Sequence, residues 1–175
     1  IKVAVLGCTG YVGVELIKLL SKHPYVEINF LGSHDLKINK QYFKINKFDN
    51  FKLPNLSLMD KFNPLNSDVV FISLPHGISQ KYIKKIFNKI KIIDLSADFR
   101  LNSKEIYKNN YNKTHESPEL LNEFTYGLPE IYKKNIILNE NIAVPGCYPT
   151  SVLLPLIPIL NNNLINTKNI IIDSK

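Results

Sequence analysis

Short apolar runs punctuate this chain at regular intervals. They are KVAVL (2–6), VEINFL (26–31), DVVFISL (68–74), KIIDLS (91–96), IAVPG (142–146) and NIIIDS (169–174). Each is short and rich in β-branched residues, and reads as a strand. Between them the apolar positions fall at helical spacing. One helix is expected from about Tyr11 to Ser21, carrying Leu16, Ile17, Leu19 and Leu20 and stopping near Pro24. A second is expected over 78–89, where Ile78, Tyr82, Ile83, Ile86 and Phe87 share a face. A short helix is expected near 103–110 and another over 149–161, the latter bent or shortened by Pro155 and Pro158. Residues 33–66 and the remainder of 101–141 show no sustained period and read as loops with short strands or mixed structure.

Strands alternating with helices imply βαβ units and an α/β parallel sheet with flanking helices. Such sheets bind ligands beyond the carboxyl ends of their strands. Every unusual motif in the chain falls at such an end. GCTGYVG follows the first strand, GSH the second, LPHG the third, DLSADFR the fourth and PGCYPT the fifth.

Composition narrows the choices only a little. The chain has 175 residues and 45% hydrophobic content, an ordinary globular level. The longest apolar run, VLLPLIPIL (152–160), is too short for a membrane span and holds two prolines. A strand starting at residue 2 leaves no room for a signal peptide. The two cysteines are far apart, and His23, His34 and His115 show no ligand spacing, so neither a disulfide framework nor a metal site is expected. A reducing, cytoplasmic setting is expected. The net charge of +7 brings nucleic acid into consideration, but the lysines are scattered, with nothing denser than KYIKK (81–85). The excess charge suits an anionic small molecule equally well. Of 22 basic residues only Arg100 is an arginine. It marks either a site needing a planar bidentate fork or an ion pair with Asp94 or Asp98.

Gly7, Gly10 and Gly13 sit between a strand and a helix. Glycine there permits a tight turn and lets backbone approach a pyrophosphate at the helix N-terminus. The expected dinucleotide contacts are Gly7, Thr9, Gly10, Tyr11, Val12 and Gly13, in a Rossmann-like fold. At the end of the second strand, Ser33 and His34 stand where many NAD sites carry an acid. That favours NADP(H), although Asp35 follows one step later. Pro75 and His76 end the third strand. His76 could touch a cofactor or act in proton transfer, but an ordinary helix-start histidine is the plainer reading. Cys147 follows Gly146 and precedes Pro149, a residue suited to a first helical turn. It is either a small apolar filler or a nucleophile, since thiolate is the reactive form and helix N-termini favour it.

Five segments taken together resemble the N-acetyl-gamma-glutamyl-phosphate reductases, relatives of the aspartate-semialdehyde dehydrogenases: GCTGYVGVEL, LPHGIS, IDLSADFRL, YGLPE (126–130) and VPGCYPT. The resemblance spans nearly the whole chain. It implies NADPH-dependent reduction of N-acetylglutamyl 5-phosphate, in arginine biosynthesis, through a thioester on Cys147. It implies a Rossmann-like domain over 1–146 and, from 147 to 175, the start of a second α+β catalytic and dimerisation domain. It also places Arg100 and Ser96 near the substrate, Arg100 gripping an anion or fixing the Asp98 loop, and implies a homo-oligomer, dimer or tetramer. In such enzymes a histidine further along assists proton transfer; it would lie beyond Lys175, so these residues alone are expected to lack a complete site. Three positions depart from the pattern. Cys8 stands where an alanine-like residue is usual, His34 where an arginine often stands, and Pro155 inside a helix usually uninterrupted. Related reductases acting on aspartyl phosphate or a carrier-linked aminoadipyl phosphate are the enzyme alternatives, and a non-catalytic dinucleotide-binding module is the alternative of another class.

Overall fold

The computed structural model describes residues 1–35, 48 and 51–173. Part of the expected loop region, 36–47 together with 49 and 50, lies outside them, as does Ser174 at the end of the last expected strand. Seven parallel strands form one sheet in the order β3-β2-β1-β4-β5-β7-β6. They are β1 (Lys2–Leu6), β2 (Glu27–Ser33), β3 (Leu56–Leu58), β4 (Val69–Ile72), β5 (Lys91–Asp94), β6 (Thr125–Tyr126) and β7 (Asn141–Ala143). The helices are α1 (Tyr11–Leu20), α2 (Ser79–Ile86), α3 (Lys104–Tyr111), α4 (Pro129–Leu138) and α5 (Cys147–Asn161).

Because successive side chains of a strand point to opposite faces, β1 feeds two cores. Val3 and Val5 pack with Val14 and Ile17 of α1 and with Ile28 and Leu31 of β2. Ala4 and Leu6 pack with Val70 and Ile72 of β4, Ile83 and Ile86 of α2 and Ile92 of β5. Fully burying a side chain such as Ile17 stabilises the fold by roughly 1.5–3 kcal/mol. Lys81, Lys84 and Lys85 of the KYIKK cluster occupy the solvent side of α2. Helix α3 starts on Ser103, whose hydroxyl accepts from the Glu105 and Ile106 N–H groups, and ends where Asn112 adopts a left-handed conformation.

The glycine turn depends on contacts that no side chain would permit. Gly7 has φ +81°. A β-carbon there would lie 2.0 Å from the Ser73 carbonyl oxygen, and one on Gly13 would lie 2.4 Å from the Gly7 oxygen. The first loop therefore packs directly on the end of β4 and on the start of its own helix.

Over its described part, 169–173, the strand expected at 169–174 does not form. Residues 170–173 pair with no strand, and Ile171 is 92% exposed. Its apolar pattern suits a sheet interior, but the segment lies instead beside Val152, Pro155 and Leu156 of α5. Helix α5 differs in the opposite sense. It runs 15 residues from Cys147 despite Pro155 and Pro158, with none of its side chains buried. Two elements carried no readable signal. Strand β6 is only two residues long, and α4 has no buried residue to impose a period.

Asp94, the last residue of β5, is fully buried, and burial pushes its carboxyl up to about 6, against hydrogen bonding from Ser96. A proton is then held more tightly in the folded state, so stability falls as pH rises from about 4 to about 6. Asp94→Asn is expected to flatten that slope and to stabilise the chain at pH 7 by on the order of 2 kcal/mol, measured by urea unfolding across pH. Gly7→Ala is expected to cost at least about 3 kcal/mol or to prevent folding, read by the same method.

Candidate active site

Parallel pairing places the carboxyl ends of all seven strands on one edge, and the site is assembled there. The loop after β1 is tied to β2, with Gly7 N–H and Cys8 N–H both donating to the Gly32 carbonyl at 2.9 and 3.2 Å. Gly10 sits at the N-cap of α1 with an extended backbone, and no side chain caps the helix. The N-terminus of α1 thus presents uncapped backbone N–H groups at the sheet's carboxyl edge. Tyr11 is 80% exposed and Val12 is also exposed. Thr9 Oγ1 lies 3.4 Å from Ser33 Oγ, joining the glycine loop to the end of β2. His34 is exposed and meets the Tyr82 ring edge-on at 6.1 Å. Pro75 is exposed at the end of the β4 connection. The positions expected from the sequence to contact a nucleotide therefore lie on neighbouring strand ends, the glycine loop touching Ser33 on one side and Ser73 and Leu74, just before Pro75, on the other. Cys8 is not among them. Its side chain is buried, and burial pushes the thiol up to about 12, so it remains protonated and inert.

The DLSADFR segment runs across the ends of β4, β5 and β7. Asp98 has no exposed surface. It accepts hydrogen bonds from the Gly77 N–H (2.9 Å), the Ser79 hydroxyl (2.5 Å) and the Tyr107 hydroxyl (2.8 Å). Burial alone would raise its carboxyl; the donors outweigh burial and hold it below the usual carboxylate range. His76 Nδ1 stands 2.9 Å from Asp98 Oδ1, at ion-pair distance without hydrogen-bond geometry, and Nε2 is 3.2 Å from the Tyr107 hydroxyl. Its ring rests on Tyr111 at 4.3 Å. Tyr107, Gln80, Tyr111 and His115 had no sequence signal, because a tyrosine or histidine inside a mixed segment reads as a core residue. His115 accordingly has a lowered pKa, through burial.

Arg100 forms no ion pair with Asp94 or Asp98. Its Nε donates to the Val144 carbonyl (2.8 Å) and its Nη2 to the Leu95 carbonyl (3.0 Å), so one guanidinium staples the ends of β5 and β7. A β-carbon on Gly146 would stand 3.0 Å from Nη1, which places the rest of the fork beside the start of α5. Ser96 is buried, its N–H donating to Asp94 Oδ1 at 2.9 Å. Arg100 also borders an open cavity of about 430 Å³ with Asn102, Thr125, Tyr126 and Tyr132. Cys147 is exposed, a free thiol at the first position of α5, and Thr150 caps the preceding turn by bonding to the Gly146 carbonyl. Two strands, β4 and β5, separate β1 from β7, so the glycine loop and Cys147 lie about 14 Å apart along the sheet edge. Among the described residues no cluster of His, Cys, Asp and Glu has metal-binding arrangement, and no helix is long and apolar enough to cross a membrane.

Comparison with known proteins agrees with this geometry. Residues 2–138 match the family described as semialdehyde dehydrogenase, NAD binding domain. An N-acetyl-gamma-glutamyl-phosphate reductase of Ehrlichia canis is 47% identical across the whole chain, and one of Caldicellulosiruptor saccharolyticus 45%. The chain spans 51% of the length of each. A rice protein named as a probable chloroplastic enzyme of the same kind is 42% identical over the whole chain, which covers 42% of it. Among solved structures, aspartate semialdehyde dehydrogenase II of Vibrio cholerae superposes with a TM-score of 0.62 at 18% identity, over 91% of this chain and 46% of that one. The Candida albicans aspartate semialdehyde dehydrogenase solved with NADP gives 0.56 at 21% identity, over 92% of this chain and 47% of that one. These two share the fold. With its glycine loop, its parallel sheet and a family match over most of its length, the chain belongs to the semialdehyde dehydrogenase NAD-binding domain family.

Proposed function

We propose that this chain carries the nucleotide site and the nucleophile of an NADPH-dependent N-acetyl-gamma-glutamyl-phosphate reductase. The observation that carries the reading is Cys147, a free, exposed thiol at the start of α5 on the same sheet edge as the glycine loop. The identity of its relatives supports the substrate class. In this reading residues 1–146 form the dinucleotide-binding domain and 147–175 begin the catalytic one, where α5 offers an apolar surface with no buried side chain for further protein to cover. Assembly as a homo-oligomer and a reducing, cytoplasmic setting belong to the same reading; two free thiols are compatible with that setting.

The residues present fit a dinucleotide. Gly7 and Gly13 hold the loop tight against the end of β4 and the start of α1, while a β-carbon on Gly10 would meet nothing nearer than 3.6 Å, so the backbone at the helix N-terminus stays open. Gly10, Tyr11 and Val12 present the α1 N-terminus to a pyrophosphate, whose charge that end favours. Thr9, Ser33 and His34 meet the ribose side, with no carboxylate at 32–34 to repel a 2′-phosphate. NADPH, when bound, supplies a hydride.

Cys147, as thiolate, attacks the acyl carbonyl of N-acetylglutamyl 5-phosphate. The carbon–sulfur bond forms, the carbon–oxygen bond to phosphate breaks, and phosphate leaves with the electron pair. A thioester then links substrate to Cys147. Hydride addition to that carbonyl and expulsion of the thiolate yield the semialdehyde and restore Cys147. Arg100 holds the strand ends with two of its N–H groups, and its Nη1 remains to grip the substrate's anionic groups beside Gly146. Ser96 steadies the same loop from beneath.

Three outcomes are expected. In a polypeptide spanning the relatives' full length, Cys147→Ser abolishes single-turnover phosphate release; retention of that burst would sink the covalent route. Arg100→Lys raises KM or lowers kcat about tenfold or more, because a lysine point charge cannot reproduce the fork. In the chain itself, iodoacetamide followed by mass mapping modifies Cys147 and leaves Cys8 unmodified under native conditions.

A further inference from the structure

A buried polar network adjoins the proposed nucleotide site, and the chemistry above makes no use of it. It begins at the Glu116 N–H, which donates to Gln80 Oε1. Gln80 Nε2 donates to the Tyr107 hydroxyl at 2.8 Å, and that hydroxyl donates onward to Asp98 Oδ1 at 2.8 Å. On its other side the Asp98 carboxylate receives the Gly77 N–H at 2.9 Å from each oxygen. The hydroxyl of Tyr107 is thus a donor with a fixed direction, because Gln80 Nε2 can only donate to it and the ionised Asp98 carboxylate can only accept from it. Tyr107, Gln80 and Asp98 are each no more than 1% exposed, so water cannot replace a lost partner.

The network ends on a turn that borders that site. Pro75 to Gly77 follow β4 directly, and Ile78 N–H closes the turn on the Pro75 carbonyl at 3.1 Å. The glycine loop packs on residues 73 and 74 immediately before it, as the Gly7 contacts with Ser73 and Leu74 show. His76, inside the turn, is held between Tyr107, at 5.5 Å between ring centroids, and Tyr111. A buried charge with fixed donors cannot slide, so the turn is pinned where a bound dinucleotide would meet it.

We propose that Tyr107, acting through Asp98, is a positioning residue for the nucleotide: it fixes the Pro75–Gly77 turn against the glycine loop and so sets cofactor affinity from outside the site. The inference rests on the nucleotide site proposed above. Tyr107 touches no reacting atom. Phenylalanine in its place keeps the ring contacts with His76, Tyr111 and His115 and removes the hydroxyl, with its bonds to Asp98, Gln80 and His76.

The test is NADPH binding to the chain, followed by the fluorescence of the reduced nicotinamide, with the rate of Cys147 alkylation measured on the same samples. Tyr107→Phe is expected to raise the Kd for NADPH about tenfold or more while Cys147 alkylation stays within about twofold. Ser79→Ala removes another donor to the same carboxylate and leaves the aromatic stack intact. It is expected to raise the Kd about threefold or more, and it decides the matter should Tyr107→Phe fail to fold. Wild-type binding with an unchanged Kd in the variants overturns this role for Tyr107 alone. A parallel loss of affinity and of Cys147 alkylation also overturns it, since that marks general loosening of the fold. Absence of NADPH binding by the wild-type chain overturns the nucleotide reading and this inference with it.

Discussion

A single buried carboxylate organises the functional edge of this molecule. Asp98 lies beneath the loops that leave β4 and β5, and its charge is tolerable there only because several donors converge on it. Those donors come from the turn after β4, the first turn of α2 and the middle of α3. Satisfying one charge therefore fixes three pieces of backbone at once. Removing a partner would leave the others facing an underpaid charge in a medium that cannot supply water, which gives the arrangement its stiffness.

Arg100 performs the complementary task two residues later. Its fork bonds to carbonyls at the ends of β5 and β7, two strands joined in sequence by nearly fifty residues of other structure, Asp94 to Asn141. Backbone carbonyls at strand ends lack a ladder partner, and a planar guanidinium satisfies two of them with one side chain. Val144 lies three residues before Cys147, so this staple also sets where α5 begins. The glycine-loop side and the Cys147 side of this sheet edge are thus tied down by neighbouring residues of one segment, ADFR.

Two carboxylates close in sequence meet opposite fates. Asp94 is buried with few donors and holds its proton to about pH 6, whereas Asp98 is buried with many and stays ionised. The difference lies in hydrogen bonding, not depth. The two cysteines divide the same way. Cys8 fills a gap in the core beneath α1, and Cys147 stands in solvent at a helix start. A residue type by itself settles neither case.

The alternation of apolar runs and helical spacing was enough to place β1, β2, β4, β5, β7 and four of the five helices, because all of them but α5 bury part of one face and α5 keeps the apolar run without burying it. The motifs GCTGYVG, DLSADFR and PGCYPT were legible for a different reason: they hold glycines, a lone arginine and an exposed thiol at strand ends, where a parallel sheet gathers ligands. Tertiary structure alone decided the rest. Strand β6 and helix α4 bury too little to leave a pattern, and 170–173 have the pattern of a strand yet pair with none. Arg100 reads in sequence as a charge seeking a charge, yet it is carbonyls 5 and 44 residues away that it holds. Tyr107 looks like an ordinary core aromatic, and becomes part of the site only when folding brings its hydroxyl to Asp98. Local periodicity reports which face an element buries, while partners chosen across dozens of residues are set only when the sheet closes.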